Sequence, residues 1–231
     1  MALQALVFDA YGTLFDVHSV TTLAERLVPG QGSALSAHWR AKQLEYSWLT
    51  SLMRGPSAVA DFGAVTAQAL DHALATLGSS LVPAERTALL DAYRTLAPFD
   101  DAAATLAALA PRPCWILSNG SRAMLEPLVA QSGLGDLLAG ILSVEDVGVF
   151  KPSPAVYALA ERTLGVPRQD VGFVSANGWD AAGATVYGFS AFWINRAGAP
   201  VERHAPPPAR ILQRLADLPE ALAALASAAS P

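Results

Sequence analysis

An α/β architecture, a parallel sheet covered by helices, is the fold class this sequence predicts, and three observations lead to it. Short apolar runs rich in β-formers recur at QALVFD (4–9), CWILSN (114–119), VGFVSA (171–176) and SAFWIN (190–195), with a weaker one at AGILSV (139–144). These runs are apolar on both faces, and three of the stronger ones lead through a turn into helix-like sequence, the pattern of strands buried in a parallel sheet. Roughly a hundred residues separate the first run from the second, far more than a single crossover helix needs. The expectation is a Rossmann-like core, residues 1–15 and 98–231, with a helical cap domain inserted at 16–97.

The insert reads as four helices. SALSAHWRAKQLEYSWLTSLM (33–53) has Ser33 as its cap candidate, AVADFGAVTAQALDHALATLG (58–78) ends on Gly78, and PAERTALLDAYRTLA (83–97) begins with Pro83 at a plausible first turn. After Asn195 the stretch GAPVERHAPPPAR reads as a Pro-rich exposed arm, followed by a packing helix in PEALAALASAA. No internal repeat is present.

A chain of 231 residues, 52% hydrophobic, is long enough to bury a substantial core. A single cysteine, Cys114, rules out an internal disulfide framework, and its apolar surroundings favour a small buried side chain over a nucleophile; a cytoplasmic location fits. The N-terminal MALQALVFDA lacks the basic start and cleavage site of a signal peptide, and no segment has the apolar length of a membrane span. Net charge is -5 with no Lys/Arg cluster, which argues against nucleic-acid or acidic-membrane partners. His18, His38, His72 and His204 stand apart without partners at ligand spacing, so no zinc site is expected.

In open parallel sheets ligands bind at the carboxyl ends of the strands, and Asp9, Ser118, Asn119, Ser175 and Asn177 all fall there. Asp9 can cap the turn after its strand or act as a nucleophile, and Thr13 can donate to it or cap a turn. Arg40 shares a helical face with Leu44 and Trp48, an apolar stripe expected to pack inward, so its charge needs either a partner or an escape to solvent. Lys151 sits in VFKPSP, where two prolines hold the backbone, yet such a lysine alone is more often a solvated loop residue. Asp180 lies in the first turn of a helix, where negative charge is favoured in any case. Convergence of these separate segments on one edge of one sheet is what points to a site.

Four separated motifs, FDAYGTL, ILSNG, FKPSP and VSANGWD, resemble those of the haloacid dehalogenase superfamily, and within it the L-2-haloacid dehalogenases. The resemblance runs from residue 4 to about 195. It implies Asp9 as nucleophile, Ser118 as the Ser/Thr of the second motif, Lys151 as the lysine and Asp180 as the acid. Most of that superfamily are Mg²⁺-dependent phosphatases with a second aspartate two residues after the nucleophile, where this chain has Tyr11, and a further acid where it has Ala176. A halide, unlike an alkoxide, needs no proton to leave. HWRAKQLEYSW is similar to the dehalogenases' cap helix, with Arg40 matching the halide-receiving arginine, and Thr13, Tyr157, Ser175 and Asn177 match further active-site residues. Tyr11, Leu44, Phe62 and Trp179 are assigned to the substrate's alkyl side, and Ala41 stands where the family has a larger polar residue.

Together these imply attack of Asp9 on the halogen-bearing carbon, with Lys151 keeping Asp9 ionised, Ser118 and backbone N–H groups holding the substrate carboxylate, and Arg40 with Asn119 receiving the halide. Asp180, with Ser175 and Asn177, would direct water onto the ester, giving a D-2-hydroxy acid from an L-2-haloacid without metal or organic cofactor. The resemblance also implies a homodimer. A Mg²⁺-dependent phosphatase of the same superfamily and a hydrolase opening a strained ring carboxylate, such as azetidine-2-carboxylate, remain alternatives at this stage.

Overall fold

A computed structural model describes residues 3–55 and 61–228. Among the described residues, six parallel strands form one sheet in the order β3-β2-β1-β4-β5-β6: β1 Ala5–Phe8, β2 Cys114–Ser118, β3 Gly140–Ser143, β4 Val171–Ser175, β5 Ser190–Ile194 and β6 Arg210–Leu212. The first five coincide with the five apolar runs. β1 and β4 are buried along their whole length, as strands covered on both faces must be. They pair directly, with Leu6 opposite Gly172, where a side chain would run into Leu6 itself. The expected Pro-rich arm, 198–210, carries no helix or strand until Arg210, where a strand that was not anticipated, β6, begins. It is a three-residue edge strand pairing Phe192 with Arg210, and it is too short and exposed to stand out beside its prolines.

The strand order reverses its direction of growth at β1 and β4, so their carboxyl ends open a crevice at the switch point. Helices α5 (Ala102–Ala108), α6 (Arg122–Ser132), α7 (Pro154–Leu164), α8 (Gly178–Tyr187) and α9 (Leu218–Ala228) accompany the strands, the last being the anticipated tail helix. Cys114 is buried, and burial pushes its thiol up to about 11, away from nucleophilic use.

Four consecutive helices lie between β1 and α5: α1 His18–Leu27, α2 Gly32–Arg54, α3 Phe62–Thr76 and α4 Pro83–Ala92. The chain leaves the sheet and returns side by side, with Phe99 N donating to Leu14 O at 2.9 Å and Asp16 N to Ala97 O at 2.8 Å. Ser33 is not the cap of α2. That helix begins one residue earlier, and the Glu25 carboxylate accepts from Gly30 N at 2.6 Å and Gly32 N at 2.8 Å, an approach open only because Gly32 has no Cβ. Asp61 caps α3 by accepting from Ala64 N at 2.9 Å; the expected earlier start at 58 falls partly outside the described residues. α4 stops at Ala92 rather than 97, and Tyr93 leaves the helix to pack edge-on against Tyr11 and Trp39 at 5.8 and 5.3 Å.

Candidate active site

Asp9 is the first residue past β1, and its N–H continues the ladder to Val174 O at 2.9 Å, which sends its side chain into the switch-point crevice. It does not serve as a turn cap. Oδ1 accepts from Lys151 Nζ at 3.1 Å, and Oδ2 accepts from Asn177 Nδ2 at 2.8 Å and Thr13 Oγ1 at 3.3 Å. Thr13 is itself fixed, accepting from Ala176 N at 2.8 Å. Lys151, Asn177 and Thr13 all donate to the carboxylate, which limits its orientations.

Lys151 is 1% exposed, so the solvated-loop alternative does not hold. Its ammonium also donates to Asp180 Oδ2 at 2.8 Å, and Tyr157 Oη donates to Asp180 Oδ1 at 2.8 Å. Burial alone would lower the lysine, but Asp180 and Asp9 outweigh it and hold Lys151 above its ordinary value. Burial pushes the Asp180 carboxyl up to about 6, opposed by Lys151 and helped by the charge of Asp9. A carboxyl near neutrality is suited to accepting a proton from water. Tyr157, buried beside these charges, is held well above its ordinary value and remains a neutral donor.

From the other side, α2 presents Arg40. The face it shares with Leu44 and Trp48 is only half-buried; the fully buried row is Leu35, Trp39, Gln43 and Ser47. Arg40 therefore neither packs into the core nor escapes to solvent. Nη2 donates to Asn177 Oδ1 at 3.3 Å and Nη1 to Gln43 Oε1 at 2.7 Å, which sets the guanidinium directly across from Asp9's partner.

A narrow cavity of about 10 Å³ lies between these groups, lined by Asp9, Tyr11, Arg40, Leu44, Phe62, Ser118, Asn119, Lys151, Asn177 and Trp179. Phe62 stacks near Tyr11 at 6.4 Å, giving the chamber an apolar wall, and the Tyr11 hydroxyl is buried without a hydrogen-bond partner among the described residues. Ser118 Oγ accepts from Gly120 N at 3.1 Å, and Asn119 Oδ1 accepts from Lys151 N at 2.9 Å, which leaves the Asn119 amide donors for the cavity. Thr13, Tyr157, Ser175 and Asp180 stand outside this lining. Thr13, Tyr157 and Asp180 bind groups of the site, whereas Ser175 Oγ accepts from Asn177 N at 3.1 Å and so sets the turn that carries Asn177. A larger, open, mostly apolar groove beside the chamber shares Lys151 and Trp179 with it and is edged by Trp48, which meets Trp179 edge-on at 5.6 Å. The convergent charged groups belong to the smaller space.

The Asn177 amide donates to Asp9 Oδ2 at 2.8 Å and to the Tyr11 carbonyl at 3.3 Å. Among the described residues no group of three or more His, Cys, Asp or Glu side chains is arranged to hold a metal ion. Gln43 and Thr66 are the site-supporting residues that sequence reasoning missed, with Gln43 Nε2 donating to Thr66 Oγ1 at 2.7 Å. The available signal was a glutamine within the buried row of α2.

The family model described as "Hydrolase: haloacid dehalogenase-like hydrolase" matches residues 3–188. An (S)-2-haloacid dehalogenase of Xanthobacter autotrophicus is 48% identical over 84% of this chain and 76% of its own. The crystal structure of an L-2-haloacid dehalogenase, 42% identical, superposes with a TM-score of 0.94 over 96% of this chain and all (100%) of its own. The Xanthobacter autotrophicus L-2-haloacid dehalogenase with chloropropionic acid covalently bound is 41% identical, with a TM-score of 0.88 and 100% of both chains covered.

Proposed function

Because the chain belongs to the haloacid dehalogenase-like hydrolases, and within them to the L-2-haloacid dehalogenase family, we propose that it hydrolyses L-2-haloacids to D-2-hydroxy acids without a metal, through an ester on Asp9. The observation that carries this reading is the Asp9 carboxylate, held by the Lys151 ammonium at 3.1 Å, facing a narrow cavity whose lining also includes Arg40. A relative's covalently bound chloropropionic acid supports the ester.

The Asp9 oxygen attacks the carbon at position 2 from behind, a carbon–oxygen bond forms as the carbon–halogen bond breaks, and the halide leaves with the bonding pair, inverting that centre. Ser118 and the backbone beside it hold the substrate carboxylate in line. Arg40 and the Asn119 amide stabilise charge that appears on the halogen only as its bond breaks. Asp180 then takes a proton from water as hydroxide adds to the Asp9 side-chain carbonyl. The tetrahedral adduct collapses by breaking the bond to the alkoxide, which takes the proton back from Asp180 and leaves as the hydroxy acid with an alcohol oxygen from Asp9, and the re-formed Asp9 carboxyl loses its proton to solvent. Ala176, without a carboxylate, and the neutral Asn177 amide donating to Asp9 Oδ2 at 2.8 Å support metal independence.

Residues 16–97 act as a cap in this scheme, delivering Arg40 to a core of 1–15 and 98–231; the paired crossings near Phe15 and Pro98 support that division. Leu52 and Met53 at the end of α2, 82% and 73% exposed, support a homodimer that covers them, and the buried thiol of Cys114 is compatible with a cytoplasmic location. No helix among the described residues is long and apolar enough to cross a membrane.

The test is halide release and hydroxy-acid formation from L- and D-2-chloropropionate, with and without EDTA, beside a p-nitrophenyl phosphate control. EDTA-insensitive release from the L-isomer, giving D-lactate, is expected. EDTA-sensitive phosphate release with no halide would replace the reading with a phosphatase.

A further inference from the structure

We infer that Gln43 and Thr66 form a positioning relay that sets the orientation of the Arg40 guanidinium toward the leaving halide, and so governs how strongly the enzyme distinguishes chloride from bromide. This rests on the dehalogenase reading above. Both residues are buried, and neither lines the chamber, so each acts through Arg40 rather than on substrate.

Proton bookkeeping fixes the relay's direction. The Thr66 hydroxyl has one proton and spends it on Phe62 O at 2.6 Å, so toward Gln43 it can only accept. Gln43 must then present Nε2 to Thr66, at 2.7 Å, and Oε1 to Arg40 Nη1, at 2.7 Å. The amide is thereby locked in the one orientation that attracts the guanidinium; rotated by half a turn it would aim N–H donors at a cation. Thr66 is anchored in turn, since its carbonyl accepts from Trp39 Nε1 at 2.8 Å and ties α3 to α2 at the same point. A glutamine in the buried row of Leu35, Trp39 and Ser47 is a costly way to fill space, because its buried amide must be partnered to be tolerated. A role in aiming Arg40 accounts for it.

Leaving groups report on that aim. Chloride departs less readily than bromide and depends more on stabilisation of the charge it gains, so a misdirected guanidinium slows chloride loss more than bromide loss. Substrate binding through the Ser118 side should change little.

The experiment measures first-turnover halide release, enzyme in excess, from L-2-chloro- and L-2-bromopropionate for the parent, Thr66→Val, Thr66→Ser and Gln43→Leu. Thr66→Val, which keeps shape and removes the acceptor, is expected to slow chloride release about tenfold, bromide release distinctly less, and to leave the half-saturating enzyme concentration within about twofold. Thr66→Ser is expected to restore the parent ratio, and Gln43→Leu to exceed Thr66→Val in the same direction. Thermal melts accompany each variant, and Gln43→Leu carries the test if Thr66→Val does not fold. Parent-like rates and ratio in both folded variants, or equal slowing of both halides, would overturn the relay. A parent enzyme releasing no halide from either substrate would overturn the dehalogenase reading itself.

Discussion

Asp9 and Asp180 share one counter-ion: the ammonium of Lys151 lies 3.1 Å from the first carboxylate and 2.8 Å from the second. Two acids served by one cation are electrostatically linked, so neutralising either changes the other. Forming an ester on Asp9 removes its charge, relieves the repulsion on Asp180 and leaves Lys151 to Asp180 alone. The attack on carbon thus prepares the base for the second step.

Asp9→Asn and Asp180→Asn should fail at different points. The first is expected to lower halide release by at least about a thousandfold, leaving only what deamidation restores. The second should still release one halide per enzyme and retain the alkyl group, visible as an added mass on the intact protein. Steady turnover there should fall by about a hundredfold to ten-thousandfold.

Acid should slow ester hydrolysis, because Asp180 must be ionised to take a proton. In the free enzyme burial holds that carboxyl up at about 6, with Asp9 adding to the rise. In the ester the Asp9 contribution is gone, so the group ionises more easily. Hydrolysis of preformed ester should therefore lose rate only below the pH at which Asp180 of the free enzyme titrates. Rapid-quench measurement of ester decay across pH checks this.

Tyr157→Phe removes a donor that stabilises the charged form of Asp180, at 2.8 Å. The Asp180 carboxyl should rise further, and the acid limb of ester hydrolysis should move to higher pH than in the parent. Alkylation should be much less affected, since Tyr157 touches neither Asp9 nor the cavity.

Lys151→Met leaves two buried carboxylates without their cation. Loss of turnover is expected, together with about 3 kcal/mol of destabilisation at neutral pH, measured by urea unfolding. Part of the lost stability should return on acidification, because protonating one carboxyl relieves the repulsion.

Strands buried on both faces announce themselves in sequence, which is why the five runs from QALVFD to SAFWIN coincide with β1 to β5. Edge strand β6 has neither length nor burial to give that signal. Asp9 was legible as an acid at a strand end, whereas Lys151 and Asp180, one in a loop and one in a helix, were singled out by the four-motif resemblance. Their partner choices were not legible, since three donors on Asp9 come from segments 4, 142 and 168 residues away. The face of α2 was misread by one step: Arg40, Leu44 and Trp48 look like a core stripe, yet the deepest row carries Gln43 and Ser47. Polar residues there are tolerated because Thr66 and backbone carbonyls partner them, a relationship between helices that no local pattern records.

The central claim is that Asp9 forms a bond to the substrate carbon. A single turnover of L-2-chloropropionate in heavy-oxygen water, with enzyme in excess, tests it most directly. D-lactate whose new hydroxyl carries ordinary oxygen is expected, with one heavy oxygen gained by the enzyme on the peptide containing Asp9. Heavy oxygen in the first-turnover hydroxyl, with an unlabelled enzyme, would mean that water attacks the substrate directly and would contradict the ester.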